Sequence, residues 1–157
     1  MSDSPPIRVL VICWGNSARS IMAEALLRHH GGADFDVNSA GIEPRGVHPI
    51  TIQVLDHAGL DHAWARSKSV SEFLDQSFDY VITVCDDSRQ VCPVFPGENQ
   101  TVLHWGYADP VKVEGTDEVR LAAFENTLTM LAQRITRFVG LARRERDSRL
   151  AAGSAGA

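Results

Sequence analysis

Apolar positions along the chain fall into short β-branched runs separated by stretches of helical periodicity. Residues 7–12 (IRVLVI) form an apolar run that ends at Cys13, the pattern of a strand buried on both faces of a parallel sheet. A loop containing Gly15 and Asn16 follows, after which Ser17 or a neighbour caps a helix predicted over 20–30 (SIMAEALLRHH). Ile21, Ala25 and Leu26 share one face of that helix, and Gly31 and Gly32 stop it. A short strand over 35–40 (FDVNSA), the turn-rich stretch GIEPRGVHP and a helix over 49–58 ending at Gly59 come next. Residues 79–84 (DYVITV) and 101–104 (TVLH) read as two further strands. A long amphipathic helix is predicted over 116–145, where Val119, Leu121, Phe124, Leu128, Leu131, Ile135, Phe138 and Val139 keep near-helical spacing. The closing AAGSAGA is low in complexity and reads as disorder.

Strands alternating with helices predict an α/β fold, a single three-layer domain with a four-stranded parallel open sheet and helices on both faces. The expected divisions are a flexible N-terminus over 1–6, one catalytic domain over 7–145 and a disordered tail over 146–157. In such a sheet ligands bind at the carboxyl ends of the strands. Cys13 and Cys85 both fall there.

Composition narrows the function classes. A chain of 157 residues suits one domain with one core. The net charge of -5 disfavours nucleic acid, whose phosphates are held by clustered Lys and Arg. The one basic cluster, Arg143, Arg144 and Arg146, sits beside acids and reads as a solvated helix end. No apolar run approaches the roughly 20 residues that span a bilayer, and Asp3 stands where an export signal wants positive charge. A cytoplasmic monomer without a membrane partner is therefore expected. Three cysteines without an export signal argue against a structural disulfide framework and for catalytic or redox use, with buried inert thiols as the plain alternative.

The segment CWGNSARS puts a cysteine at a strand end, an arginine six residues later and a helix start at once after it. A loop curling between a strand end and a helix N-terminus points successive N–H groups inward, a nest for a tetrahedral oxyanion. Trp14, Gly15, Asn16, Ser17, Ala18 and Arg19 would form it. Gly15 and Asn16 tolerate the unusual dihedrals that the curl needs. Arg19 offers a planar fork to two oxygens of phosphate or arsenate. The same positive surroundings favour a Cys13 thiolate, to which the Ser20 hydroxyl can donate. Asp109, held by Pro110, is suited to protonate a leaving oxygen, although an Asp-Pro pair alone is usually a turn.

CWGNSARS followed by MAEA resembles the signature loop of the low-molecular-weight tyrosine phosphatase and arsenate reductase superfamily. The resemblance extends through SAGIEPRGVHP, DYVITVCD, CPVFPG and HWGYADP, covering about residues 7–140. It implies Cys13 as nucleophile, Arg19 as oxyanion clamp, Ser20 as thiolate partner and Asp109 as general acid. Cys85 and Cys92, seven residues apart across a polar segment, resemble the pair in arsenate reductases that couple to thioredoxin. That resemblance implies a relay without cofactor or catalytic metal. Cys13 forms a thiol-arsenate adduct, Cys85 attacks Cys13 and expels arsenite, and Cys92 attacks Cys85 to give a disulfide that thioredoxin reduces. Phosphate or sulfate would mimic the oxyanion.

Some relatives hold a potassium ion beside the loop, at positions corresponding to Asn16, Glu24 and Ser39. Here Lys68 stands where a further carboxylate is expected, so no cation is expected to bind. Val111 follows the Asp-Pro pair where the phosphatases usually carry an aromatic, and Ala18 stands where many members carry a second loop cysteine. Trp14 is unusual after the nucleophile and either narrows the mouth, stacks on a partner or simply packs. The alternatives are a protein tyrosine phosphatase using Cys13, Arg19 and Asp109 alone, and a non-enzymatic module chelating arsenite through three thiols. The cysteine spacings lack the paired close ligands of a zinc site.

Overall fold

The computed structural model describes residues 4–86 and 92–155. The first half of the expected flexible N-terminus, the polar segment 87–91 and the last two residues lie outside the described residues. The element order is β1 (Ile7–Cys13), α1 (Arg19–Gly31), β2 (Phe35–Gly41), α2 (Pro49–His57), β3 (Tyr80–Thr83), β4 (Thr101–His104) and α3 (Asp117–Ala155). Short 3-10 helices cover Gly32–Asp34, Val70–Phe73 and Pro110–Lys112.

The four strands pair in parallel in the order β2-β1-β3-β4. Cys13 stands opposite Gly41, Ile12 opposite Thr83, and Thr83 opposite His104, so all these residues share the carboxyl edge of the sheet. From β1 the chain moves out to β2 on one side and returns to β3 on the other. The crevice between β1 and β3 is where an open α/β sheet binds its ligand.

Alternate residues of β1 feed two cores, as the two-residue period of a strand dictates. Val9, Val11 and Cys13 join one cluster with residues of α1, α2 and α3, including Ile21, Leu55, Phe124 and Ile135. Leu10 and Ile12 join Ala40, Phe73, Phe78, Val81 and Phe95 on the opposite face. Among the described residues the α-helices thus cover one face, and the 3-10 turn at Val70–Phe73 with neighbouring aromatics covers the other. Three layers result.

Two helix expectations change. The cap of α1 is Ala18 rather than Ser17, and no side chain bonds the first N–H groups of the helix. Every residue from Arg19 to Leu27 is buried, not one face only, because α1 lies against β1, β2, α2 and α3 together. The second change concerns α3, which runs through Ala155 where a disordered tail is predicted from 146. Arg143 donates to the carbonyls of His30 (3.2 Å) and Gly31 (3.0 Å) and to Asp34 (3.0 Å), and Arg146 also donates to Asp34 (3.0 Å). These cations cover the exposed carbonyl end of α1. Arg143 and Arg146 are therefore docking residues while Arg144 stays exposed, and the alanine-rich residues beyond them extend a helix already nucleated.

Candidate active site

Cys13 ends β1 with only 2% of its surface exposed. Its sulfur lies 2.8 Å from Ser20 Oγ and receives the Asn16 N–H at 3.2 Å. Asn16 Nδ2 donates to Ser20 Oγ at 2.7 Å and to Ser39 Oγ at 3.0 Å. Ser20 Oγ accepts from Asn16, which leaves its own proton available to the Cys13 sulfur. Asn16 adopts a left-handed φ of 45°, a conformation that asparagine tolerates better than most residues. Its Oδ1 accepts the Lys68 N–H at 2.9 Å, so the strained residue is held on three sides.

Gly15 has an ordinary φ and serves another purpose: a Cβ there would stand 3.3 Å from Arg45 Cδ, whose stem covers the loop. Gly41 is tighter still. A Cβ at that position would come within 2.8 Å of Asn16 N and Trp14 O.

The loop carbonyls are tied to the turn-rich segment after β2. Ile42, Glu43, Arg45 and His48 donate their N–H groups to the carbonyls of Cys13 (3.3 Å), Trp14 (2.9 Å), Gly15 (2.9 Å) and Ser17 (3.1 Å). In a trans peptide the following N–H points the opposite way. The amides of Trp14, Gly15, Asn16 and Ala18 accordingly turn away from that segment, and the Asn16 amide reaches the Cys13 sulfur at 3.2 Å. Ser17 and Ala18 line the same cavity.

Arg19 is 5% exposed. Its Nη1 donates to the Tyr107 carbonyl at 2.9 Å and meets Asp86 Oδ1 at 3.4 Å, while Nη2 lies 3.4 Å from Asp109 Oδ2. Asp109 caps the 3-10 turn Pro110–Lys112, accepting the Val111 N–H at 3.0 Å. The Asp-Pro pair is thus both a turn and a site carboxylate. Asp86 and the Tyr107 carbonyl were absent from the sequence-based set, although both residues sit inside the stretches DYVITVCD and HWGYADP. The cavity above the loop measures about 580 Å³, and Cys13, Trp14, Arg19, Cys85, Asp86 and Asp109 are among the residues lining it.

The profile of the low molecular weight phosphotyrosine protein phosphatase family matches residues 8–149. The chain belongs to that family. Among curated relatives, the arsenate reductase of Halalkalibacterium halodurans is 38% identical over 130 residues, 83% of this chain and 93% of that protein. The crystal structure of an arsenate reductase from Archaeoglobus fulgidus superimposes with a TM-score of 0.68 at 32% identity, covering 84% of this chain and 98% of that one. A thioredoxin-dependent arsenate reductase from Corynebacterium glutamicum gives 0.58 at 28% identity, covering 85% of this chain and 64% of that one.

Two further thiols, Cys85 and Cys92, lie beyond Cys13. All three cysteines are present as thiols. Cys85 is buried two residues past β3, on the cavity that holds Cys13. Burial pushes its thiol up to about 11, the nearby Cys13 adds to the rise, and Arg19 opposes it. Cys92 is half-buried and is also pushed up by burial. Its side chain packs with Ile42 and Val70 against the aromatic core on the other face of the sheet, and its sulfur lies 3.6 Å from the Pro93 carbonyl. The structure therefore brings Cys13 and Cys85 together and leaves Cys92 outside their cavity. The segment expected to carry Cys92 toward Cys85, residues 87–91, lies outside the described residues.

Beneath the loop, Glu24 Oε1 accepts from Ser39 Oγ at 2.6 Å and faces Lys68 Nζ at 4.0 Å, while Oε2 meets Arg28 Nη2 at 2.7 Å. Asn16, Glu24 and Ser39 do converge, as expected of the cation-binding relatives. Here, however, the buried Lys68 ammonium, whose proton affinity is lowered by burial and raised by Glu24, supplies the positive charge. This donor set does not fit a potassium ion.

Proposed function

We propose that this protein reduces arsenate to arsenite by a three-cysteine relay regenerated by thioredoxin. The observation that carries the reading is a second buried thiol, Cys85, on the cavity of Cys13, because phosphoester hydrolysis has no use for one.

The Cys13 thiolate attacks As(V), an S–As bond forms, and the leaving oxygen departs as water with a proton from Asp109. Loop amides and Arg19 hold the remaining oxygens. Cys85 thiolate then attacks Cys13 Sγ. The S–S bond forms, the S–As bond breaks, and its electron pair stays on arsenic, giving As(III) as arsenite. Attack of Cys92 on Cys85 frees Cys13, and a thioredoxin dithiol reduces the Cys85–Cys92 disulfide. The two electrons that arsenic gains equal those lost by one dithiol. The dependence on thioredoxin named for the Corynebacterium relative supports the choice of reductant.

A second reading, phosphomonoester hydrolysis by Cys13, Arg19 and Asp109, is favoured by the roomy cavity with Trp14 and Ile42 on its walls, while Val111 in place of an aromatic counts against it. Arsenate-dependent NADPH oxidation in the presence of thioredoxin and its reductase, run beside aryl phosphate hydrolysis, decides between the two. Turnover of arsenate supports the relay. Hydrolysis without arsenate turnover replaces it with the phosphatase.

A further inference from the structure

His48 belongs to neither reading, yet it touches the oxyanion loop through the backbone. Its N–H donates to the Ser17 carbonyl at 3.1 Å, and one turn later the buried Thr51 Oγ1 donates to the same oxygen at 2.9 Å. Between them His48 caps α2: the side-chain Nδ1 accepts the Ile50 N–H at 3.1 Å, from an extended backbone with φ of -68° and ψ of 137°. The imidazole lies against Phe124 of α3, ring centres 5.1 Å apart, and Nε2 stands 3.4 Å from Arg120 Nη2.

We infer that His48 is a positioning residue for the oxyanion loop, fixing Ser17 and the start of α2 only while its imidazole is neutral. The inference rests on the reading of this loop as an oxyanion nest. A nitrogen that accepts a backbone N–H carries no proton, so in the capped state the ring proton sits on Nε2 and the 3.4 Å approach of Arg120 Nη2 is a donor–donor contact rather than a hydrogen bond, since a guanidinium cannot accept. Protonation of Nδ1 sets two donors face to face, removes the cap and places a cation beside Arg120. The charged groups that face the ring are Arg120 from α3 and Asp109 from the turn after β4; burial and Arg120 favour the neutral ring, and Asp109 opposes them. Acid therefore loosens the His48–Thr51 turn that holds Ser17, and the Ala18 amide on the far side of that carbonyl loses its aim.

Sulfate is the suitable probe, because its charge is constant between about pH 5 and 8 and it needs no redox chemistry. Its affinity is read from protection of Cys13 against iodoacetamide, as a ratio of rates with and without sulfate at each pH. In the wild type, sulfate should bind about fivefold more weakly at pH 5 than at pH 7.5, the weight of a typical helix cap. His48→Asn retains a capping oxygen and cannot titrate, so its affinity should match the wild type at pH 7.5 and stay flat to pH 5. His48→Ala should be weak at both values. An acid limb that persists in His48→Asn, or wild-type affinity in a folded His48→Ala, overturns the inference, as does a wild type that sulfate never protects. Arsenate turnover plays no part in this readout, so loss of the reductase reading and loss of the His48 inference are separate results.

Discussion

Ser20 Oγ lies 2.8 Å from Cys13 Sγ and is oriented there by a 2.7 Å hydrogen bond from Asn16 Nδ2. A hydroxyl held in this way is placed to donate to the attacking sulfur, and hydrogen bonds to charged groups contribute about 1.5–3 kcal/mol. Ser20→Ala should slow alkylation of Cys13 at neutral pH by roughly tenfold or more. Cys13→Ser should abolish arsenate reduction and phosphate ester hydrolysis alike. Arg19→Lys should be severely impaired in both, since a point charge does not replace a planar fork. Retention of a substantial fraction of either activity by Cys13→Ser removes Cys13 from its role.

Lys68 predicts indifference to potassium. Its ammonium is buried against Glu24 at 4.0 Å, within the network that fixes Asn16 and Ser39. Exchanging sodium for potassium should leave both Tm and rate unchanged, and a marked rise in either contradicts the assignment. Lys68→Met leaves Glu24 with Arg28 as its remaining ion partner and should cost about 2–4 kcal/mol in denaturant unfolding, somewhat less than the roughly 3–5 kcal/mol for a buried charge left with no partner.

The far end of α3 should loosen in acid. Arg146, then Arg143, hold the Asp34 carboxyl below the usual carboxylate range, so folding favours its ionised form. A depressed value in the folded state means that the stabilisation is complete above the unfolded value of about 4 and disappears as pH falls through the folded one. Asp34 is partly exposed, so the effect is modest: Asp34→Asn should lower stability by about 0.5–1 kcal/mol near neutral pH. Limited proteolysis between Arg143 and Ala155 should speed up in that variant at pH 7 and in the wild type below pH 4. Equal protection of both at every pH would detach this contact from the stability of the helix.

What could be read from the chain alone was whatever sits in one local stretch. The strand, loop and helix around Cys13 announce themselves because the apolar run, the loop residues and Arg19 are contiguous, and the parallel sheet follows from the alternation of elements. From separate segments, only members implied by the family resemblance, such as Asp109 and Cys85, were named. Asp86 and the Tyr107 carbonyl reach Arg19 across 67 and 88 residues, and no periodicity encodes that convergence. The same reason explains the tail, because the partner that anchors Arg143, Asp34, lies 109 residues earlier. Of the two loop residues expected to take unusual dihedrals, Asn16 is left-handed and Gly15 is not, and the smallness of Gly15 admits the Arg45 stem instead.

The order of the relay is the sharpest test of the proposed function. Cys85 shares the Cys13 cavity, whereas Cys92 packs on the opposite face of the sheet, so the proposed relay needs Cys92 only after Cys85 has reacted. Cys92→Ser should release about one arsenite per enzyme in a burst and then stop as a Cys13–Cys85 disulfide, detectable by peptide mapping. Cys85→Ser should release almost none while keeping any aryl phosphate hydrolysis, which needs only Cys13, Arg19 and Asp109. Because the Cys85 thiol is pushed up to about 11, chiefly by burial, its thiolate fraction rises about tenfold per pH unit below that value. The burst of Cys92→Ser should therefore quicken between pH 7 and pH 9, provided that sulfur attack, not adduct formation, limits it. Repeated arsenate turnover with thioredoxin in both Cys85→Ser and Cys92→Ser would eliminate the intramolecular relay and leave a reductase served by an external thiol.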